Sequence, residues 1–402
     1  MGGELGQSRT PAWVGCAVLP TGEVRPTSHS KAPGRGTRRY RWGGGSMSSA
    51  IVERISTLSL SVQQLGRLPR VLDALPSLPS LRGTVQASDV PALFREPYIL
   101  SGYRPAGQDW HCYLLSLFQW HNESLNVWTH LLAILPLLLR CWVSAGTWGV
   151  GAVAPDPVSL PLLLFVLSAI SYLLFSTAAH LLQSRSELAH YALFFLDYVG
   201  VGLHQYGCAL AHYFYSAEPA WHQSIVGEVF LPATAFLAWL SCSSCCYAKL
   251  RYRRPYPLQR KIIQLIPAGM EYLLVISPVI HRLATGSWND PALPFHALQV
   301  VFFILAAFFY SCSLPERLFP GRCDIVGHGH QIFHVFLVLC TLCQQEALLE
   351  DFAARRESVV QVHGQGYLLL AAASFGVLML CSAVTAVLMC AVVQRRLQWK
   401  QE

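Results

Sequence analysis

Three histidines and one aspartate inside apolar segments are the residues of this chain whose types and spacing could do chemistry. His180 ends one apolar run, Asp197 lies early in the next, and His330 and His334 open a later one. Titratable side chains are costly inside a bilayer, so each is a candidate for a functional site. His330 and His334 are four residues apart, which places both imidazoles on one face of a helix.

Three neutral imidazoles with a water in the fourth position are typical of an open tetrahedral zinc site. We therefore predict that His180, His330 and His334 bind one Zn²⁺ ion. Asp197 is predicted to lie beside the metal, where it would orient or deprotonate the bound water. The alternative is that each histidine only packs or hydrogen bonds near a helix end, as single histidines commonly do.

A polytopic membrane protein must position these residues. The chain is 53% hydrophobic and only 13% charged, whereas soluble domains carry about 25% charged residues. We predict an all-α fold with a seven-helix core and an eighth, C-terminal transmembrane helix. The predicted spans, each about the 20 residues that cross a bilayer, are 124–145, 158–182, 188–213, 224–247, 261–283, 293–313, 327–348 and 366–391.

The fifth predicted span is the weakest, because Pro267, Gly269, Glu271 and Pro278 interrupt it. Proline within a span needs neighbouring helices or side chains to satisfy the freed backbone groups. We therefore predict a kink that faces a cavity.

The distribution of basic residues predicts a cytoplasmic N-terminus. In that orientation the loops and ends outside carry only Arg140, Arg282, Arg355 and Arg356. The inside segments carry the N-terminal arginines and Arg185, Lys249, Arg251, Arg253, Arg254, Arg260, Lys261, Arg317, Arg322, Arg395, Arg396 and Lys400. All four candidate residues then lie in the cytoplasmic part of their spans, although none of them was used to choose the orientation.

The chain is predicted to have four regions. Residues 1–46 form a disordered, Gly-rich basic tail with seven Arg/Lys against two acids, which is most of the net charge of +7. The basic balance is therefore no sign of a nucleic-acid partner. Residues 47–123 are predicted to form a cytoplasmic N-terminal and juxtamembrane region, with an amphipathic helix over 50–66. Residues 124–393 are predicted to form the transmembrane domain, and residues 394–402 a cytoplasmic tail.

Met47 opens a segment of different character from the basic tail, and we hypothesise that it is the true start of the protein. Recovery of peptides from residues 1–46 by N-terminal mapping would exclude this.

A polar group stands at the entry to the first span. It comprises His121, Asn122, Glu123, Asn126 and Thr129. One interpretation is helix capping with interfacial hydrogen bonds. The other is a polar patch that seals the cytoplasmic mouth of the bundle.

Several of these blocks resemble the signature of the progestin and adipoQ receptor family. They are residues 121–130 (HNESLNVWTH), Ser176 with His180, Asp197 with Tyr198, and residues 330–334 (HQIFH). The resemblance covers about residues 47–395. Three further blocks, 93–98 (LFREPY), 247–256 (YAKLRYRRPY) and 323–334 (CDIVGHGHQIFH), are similar to its progestin-binding branch.

The resemblance implies a seven-helix core with an inside N-terminus and an extra C-terminal helix. It implies zinc on His180, His330 and His334 with Asp197 beside them. It also implies progesterone binding at the plasma membrane, rapid signalling through inhibitory heterotrimeric G proteins, and a role in oocyte maturation.

One position departs from that branch. Its relatives carry an acid in span 5 where this chain has Val275, and Glu271 lies one helical turn earlier, on the same face. We hypothesise that Glu271 substitutes for the missing acid, in a ligand pocket with Tyr198 and Phe333. Unchanged steroid binding by Glu271→Gln would contradict this.

Three functions remain open. A receptor would bind a steroid or sterol-like lipid in an apolar cavity with a few polar anchors. A zinc-dependent lipid amidase, like the alkaline ceramidases that share these motifs, would use Asp197 as base and Ser176 as a hydrogen-bond partner. An adaptor would use the basic loop 249–261 to dock signalling proteins or anionic membrane lipids.

Overall fold

The computed structural model describes residues 81–144, 156–254, 256–400 and 402. The predicted basic tail 1–46 and the predicted amphipathic helix over 50–66 lie outside these residues. Within the described ranges the protein is all-helical, as predicted, and no β-strand occurs there. One isolated antiparallel bridge joins Val85 to Tyr103.

The described residues form ten α-helices in chain order. They are α1 (Trp110–Leu115), α2 (Ser124–Ser144), α3 (Leu160–Leu182), α4 (Glu187–Ala211), α5 (Pro219–His222), α6 (Ile225–Arg251), α7 (Leu258–Val275), α8 (Ser277–Thr285), α9 (Leu293–Cys312) and α10 (Gly329–Gln398). Short 3-10 turns cover Ala87–Asp89, Ala92–Phe94, Ser116–Phe118, Pro157–Ser159 and Gln183–Arg185, and a π-helical turn covers His212–Ser216.

Serine side chains set the starts of two long helices. The hydroxyl of Ser186 accepts a hydrogen bond from the Ala189 amide and caps α4. Ser224 caps α6 through the Gly227 amide in the same way. Such caps satisfy an amide that the helix itself leaves without a partner, so both helix starts are encoded locally.

Five described helical segments are long and apolar enough to cross a membrane. These are Ser124–Ser144, Pro157–Arg185, Ile225–Arg251, Leu293–Cys312 and Gly329–Gln398. α4 is not among them, because Glu187, Asp197 and two histidines lower its hydropathy. It packs against α3, α6 and α10, and its histidines His190 and His204 are buried.

The weak fifth span is broken, as the sequence predicts. α7 and α8 together are long and apolar enough to cross a membrane, and they meet at a bend of 43° at Ile276. Pro278 stands in the first turn of α8, where its missing N–H and its ring prevent a continuous helix.

α10 contains a break at Gly364, which has φ +73° and ψ 154°. A straight helix of its 70 residues would be about 105 Å long, far more than the roughly 30 Å hydrocarbon core. Both halves instead pack on the bundle. Thr341 bonds to Tyr172 before the break, and Ser374 bonds to Tyr206 after it. The predicted seventh and eighth spans lie on either side of this glycine.

α3 and α4 approach each other closely at two glycines. A Cβ atom added at Gly200 would lie 2.8 Å from the Cα of Tyr172, and one at Gly207 would lie 2.3 Å from the Ser168 hydroxyl. Small residues of this kind let helix backbones pack tightly within a membrane. The contact fixes α3, which carries His180, against α4, which carries Asp197.

The segment before α2 is anchored to the end of α3. The buried Arg104 guanidinium donates to the carbonyl oxygens of Leu181 at 2.5 Å and His180 at 2.7 Å. The Tyr113 hydroxyl donates to the Ser184 carbonyl at 2.9 Å. These bonds satisfy carbonyl groups at the C-terminus of α3 and hold its last turn in place.

Candidate metal centre

Three imidazoles from two helices meet at one end of the bundle. His180 belongs to the last turn of α3, and His330 and His334 belong to the first two turns of α10. One ligand nitrogen from each ring lies within 4.8 Å of the other two. His180 and His334 are buried, and His330 is half-buried, so the group is largely shielded from solvent.

The separation of the ring nitrogens fits a tetrahedral metal. The Nε2 atoms of His180 and His330 are 3.3 Å apart. Two imidazole ligands at Zn–N distances of about 2.0–2.1 Å in tetrahedral geometry are separated by about 3.3 Å. Three such nitrogens leave one tetrahedral position open for a water molecule or another oxygen ligand.

The tautomers of two rings also fit metal binding. His334 Nδ1 lies 3.1 Å from the backbone carbonyl of Asn126, an acceptor only, so Nδ1 carries the proton. His180 Nδ1 lies 2.7 Å from Glu123 Oε2 and donates to that carboxylate. In the neutral form of both rings, Nε2 is therefore the unprotonated nitrogen and is available as a metal ligand. On donor chemistry and spacing, these residues fit a metal such as zinc.

Glu123 is the acid that directly contacts this histidine group. Besides His180, its carboxylate accepts hydrogen bonds from Asn126 Nδ2 at 2.6 Å and Gln183 Nε2 at 2.8 Å. Burial raises the pKa of Glu123, but the attraction of His180 and these hydrogen bonds hold it below its usual range. The group therefore remains an ionised acceptor that orients His180.

This role of Glu123 was not predicted from the sequence. Glu123 was predicted only to belong to the polar group at the entry to the first span. A signal was available, because Glu123 precedes α2 directly and so falls at the same membrane face as the predicted histidines. A buried acid at that depth is a natural partner for a metal-bound imidazole.

The other members of that polar group hydrogen bond both locally and to residues at the start of α10. His121 Nδ1 accepts from the Glu123 amide at 3.1 Å, and Ser124 Oγ accepts from the His121 amide at 2.9 Å. Burial and the nearby charge of Arg104 lower the pKa of His121 to about 3, so its ring is neutral. The Asn122 carbonyl accepts from His328 Nε2 at 3.1 Å. These contacts are of the capping kind and also cover the histidine group.

A fourth histidine lies against the group. The ring of His130 in α2 stacks on that of His334, with centroids 3.8 Å apart and planes 5° from parallel. Its ring nitrogens have no hydrogen-bond partner among the described residues. Stacking fixes the plane of the His334 ring and so helps to aim its Nε2 atom.

Asp197 and Ser176 lie near the histidines without bonding to them. Asp197 of α4 interacts electrostatically with His180 and with Lys249. It does not belong to the group of ligand atoms within 4.8 Å of one another. Ser176 is buried in α3, one turn before His180. No hydrogen bond joins either side chain to a histidine within the described residues.

Aromatic rings extend from the histidines toward α9. The ring of Phe333 lies 5.3 Å from that of His330 and 5.1 Å from that of Tyr310. Tyr310 in turn interacts with Tyr198, which packs on Phe194 at 6.4 Å. Tyr198 and Phe333 thus border one aromatic region between α4, α9 and α10.

Glu271 lies elsewhere in the bundle, on α7. Its side chain is fully buried, and neither carboxylate oxygen has a hydrogen-bond partner among the described residues. Electrostatic interactions link it to Cys208 of α4 and to Cys242 and Cys245 of α6. Tyr198 also interacts electrostatically with Cys245, so this thiol is within electrostatic range of both Glu271 and Tyr198.

Comparisons with known proteins agree on one family. The model of the haemolysin-III related family matches residues 118–345. Membrane progestin receptor beta of Mus musculus is 55% identical over 350 residues, covering 85% of this chain and 96% of that protein. The Homo sapiens protein of that name is 55% identical over 358 residues, covering 88% and 99%. Membrane progestin receptor alpha of Homo sapiens is 47% identical over 363 residues, covering 87% and 99%.

Proposed function

The chain belongs to the haemolysin-III related family, also known as the progestin and adipoQ receptors, and from this we propose that it is a membrane receptor for progestin steroids. The observation that carries the proposal is the identity of 55% with membrane progestin receptor beta, which extends over 96% of the mouse protein. Identity of that extent includes the helices that enclose the aromatic region, not only a short motif.

The proposed topology has eight crossings with both termini inside. Seven crossings come from the five apolar segments, the bent pair α7 and α8, and α4. The break at Gly364 divides α10 into two crossings, which makes eight. The region boundaries proposed are 1–46, 47–123, 124–393 and 394–402, although α10 continues to Gln398. The basic residues at the ends of α6 and α10 support the orientation. The proposed location is the plasma membrane.

The proposed steroid site is the aromatic region next to the histidines. Flat apolar ligands suit such surfaces, and a few buried polar groups fix their orientation. Tyr198 and Phe333 would contact the rings of the steroid. Glu271, which lacks a partner among the described residues, would supply a polar anchor. A carboxyl group can donate to a ketone oxygen only when protonated.

His180, His330 and His334 are proposed to hold a zinc ion. A bound zinc ion would polarise or activate an oxygen ligand in its open position. Glu123 holds the proton of His180 on Nδ1, and the Asn126 carbonyl does the same for His334. Because the histidines come from α3 and α10, a shared cation would also tie these two helices together.

A lipid amidase is the second candidate. The observation that favours it is the group of three imidazoles whose ligand nitrogens lie within 4.8 Å of one another, with Asp197 within electrostatic reach of His180. Asp197 would accept a proton from the attacking water, and Ser176 would hydrogen bond the substrate. Ceramide-type lipids are the proposed substrate class for this alternative.

Signalling through an inhibitory heterotrimeric G protein is proposed from the family resemblance, with oocyte maturation as the setting. The receptor would present its basic inside ends to that partner. Membrane lipids are its other proposed partners.

The test of the receptor is radiolabelled progesterone binding to membranes of cells that lack nuclear steroid receptors. We expect saturable binding that excess unlabelled progesterone displaces and cholesterol does not. Absence of saturable binding in membranes with intact, surface-expressed protein would refute the proposal.

A His330→Ala/His334→Ala variant separates the two candidate functions. Loss of ceramide turnover with steroid binding retained would favour the amidase. Loss of steroid binding without any wild-type turnover would favour the receptor. Loss of neither would remove the histidines from both functions.

A further inference from the structure

A groove rich in basic residues lies between the C-terminal ends of α6 and α10. Its cavity volume is about 270 Å³. Five cationic side chains line it, and we call it the basic groove: Lys249, Arg253, Arg254, Arg396 and Lys400. Glu187 is the single acidic residue in its lining within the described part of the chain.

Three of the five cations lack a carboxylate partner among the described residues. Lys400 pairs with Glu187 at 3.2 Å, and Arg254 pairs with Glu96 at 2.7 Å. In the described part of the chain, no carboxylate comes within salt-bridge distance of the other three: Lys249, Arg253 and Arg396. Like charges that converge in this way repel one another, so a bound anion would stabilise them.

Lys249 is the most enclosed of these cations. Lys249 is only 8% exposed, and its ammonium nitrogen lies 3.6 Å from the centroid of the Phe194 ring. Taking a charge out of water without an anionic partner is costly. Asp197 and Glu96 act on this ammonium only at longer range, and no carboxylate pairs with it directly among the described residues. We therefore infer that its direct anionic partner is a ligand.

The remaining wall of the basic groove is apolar and aromatic. It is lined by three aliphatic side chains and three tyrosines: Leu250, Val393, Leu397, Tyr191, Tyr252 and Tyr256. The Tyr191 hydroxyl interacts electrostatically with both Arg253 and Arg396. Tyrosines beside basic residues are typical of the boundary between the membrane and water. The groove also lies where α6 and α10, both long and apolar enough to span, come to an end.

We propose that the basic groove binds the phosphorylated inositol headgroup of an anionic membrane lipid. The guanidinium groups of Arg253 and Arg396 would hold phosphate oxygens in paired hydrogen bonds, with Lys249 as the deeper counter-charge. The apolar wall favours a lipid over a phosphorylated peptide, because it suits the glycerol and upper acyl chains. In the proposed orientation the groove faces the inner leaflet, which carries such lipids.

The test uses the full-length protein in nanodiscs of phosphatidylcholine, titrated with a fluorescent short-chain phosphatidylinositol bisphosphate. We expect saturable binding by the wild type. Arg253→Gln/Arg396→Gln should bind about thirty-fold more weakly, and Arg253→Gln alone about five-fold. The single variant keeps the test valid if the double variant misfolds, because Arg253 is exposed and makes no hydrogen bond or ion pair among the described residues.

The matched control is Arg317→Gln/Arg322→Gln. It removes two exposed arginines from the connection between α9 and α10, outside the groove. We expect its affinity to stay within about two-fold of the wild type, since short-range contacts at the groove, not diffuse charge, hold the headgroup. Equal weakening in both double variants, or none in either, would overturn the proposal.

Two further probes identify the source of the phosphate. Soluble inositol trisphosphate should compete only weakly, because it lacks the part of the lipid that meets the apolar wall. Competition as strong as that of the lipid would assign the site to a free phosphate instead. A doubly phosphorylated peptide that binds while the lipid does not would overturn the proposal in favour of a protein partner.

Discussion

Replacing Glu123 by glutamine tests whether this carboxylate aims His180 at a metal. The carboxylate accepts from His180, Asn126 and Gln183. A glutamine has one acceptor oxygen and a donor NH₂ group, so at least one of these donors would face another donor. The bond from His180 is charge-assisted, and losing a bond of that kind costs about 1.5–3 kcal/mol.

That cost sets the expected loss of metal affinity. At about 1.4 kcal/mol per factor of ten, Glu123→Gln should bind zinc about 10-fold to 100-fold more weakly than the wild type. Mutation of a residue that supports a metal-bound histidine has an effect of this size in metal sites generally. The reason is that the His180 ring would lose both its fixed tautomer and its fixed orientation.

The assay is competition for zinc between the purified protein and a fluorescent chelator. Elemental analysis of the protein recovered from the competition gives the number of ions bound. The control is Glu316→Gln. Glu316 is 5% exposed and accepts a hydrogen bond from the Gly329 amide at 2.7 Å, but among the described residues no hydrogen bond or ion pair joins it to any of the three histidines.

We expect Glu316→Gln to keep the wild-type zinc affinity even if it unfolds more easily. Unchanged zinc affinity in Glu123→Gln would refute the reasoning that the carboxylate orients His180. Equal loss in both variants would also refute it, because the effect would then follow from general destabilisation.

The remaining predictions concern stability. Removal of zinc by a chelator should lower the unfolding temperature of the wild type but not that of His330→Ala, because a metal bound at a thousand times its Kd contributes about 4 kcal/mol. Arg104→Ala should unfold at a lower temperature than Arg95→Ala, since Arg104 is buried on α3 carbonyls whereas Arg95 bonds to Val90 within its own segment; similar losses would contradict this. Gly364→Ala should lower the free energy of unfolding by about 1–3 kcal/mol, because the position has a positive φ. Gly376→Ala should leave that free energy unchanged or raise it, because a Cβ atom there meets no neighbouring atom. Thermal unfolding in detergent compares the two variants.

The helices were predictable because hydropathy and run length carry the information. The eight predicted apolar spans coincide with described helices, the fifth with the bent pair α7 and α8. Four interrupting residues predicted a kink in the fifth span; the bend lies just before Pro278, whereas α7 continues through Pro267. Hydropathy does not reveal which polar helix is sheltered by its neighbours. α4 packs against α3, α6 and α10, and it approaches α3 closely at Gly200 and Gly207.

The histidine group was predictable in part. The spacing of His330 and His334 follows from helical geometry, and the depth of His180 follows from the order of the spans. The role of Glu123 was not predictable in that way, because the residue precedes α2 and reaches His180 only through the fold of a non-helical segment. The spacing of apolar residues predicts helices and their buried faces, but it does not predict the path of a non-helical segment. The contact of His130 with His334 likewise depends on how α2 packs against α10.

The distance between the histidines along the chain determines when, during translation, the three imidazoles can come together. His180 and His330 are 150 residues apart. A ribosome that adds about 5–20 residues per second needs about 8–30 seconds between them. During that interval His180 and Glu123 stand in the growing protein without the partners on α10. The proposed metal site is therefore completed late in biosynthesis, after most of the bundle has been synthesised, and nascent chains that end before His330 lack two of the three imidazoles.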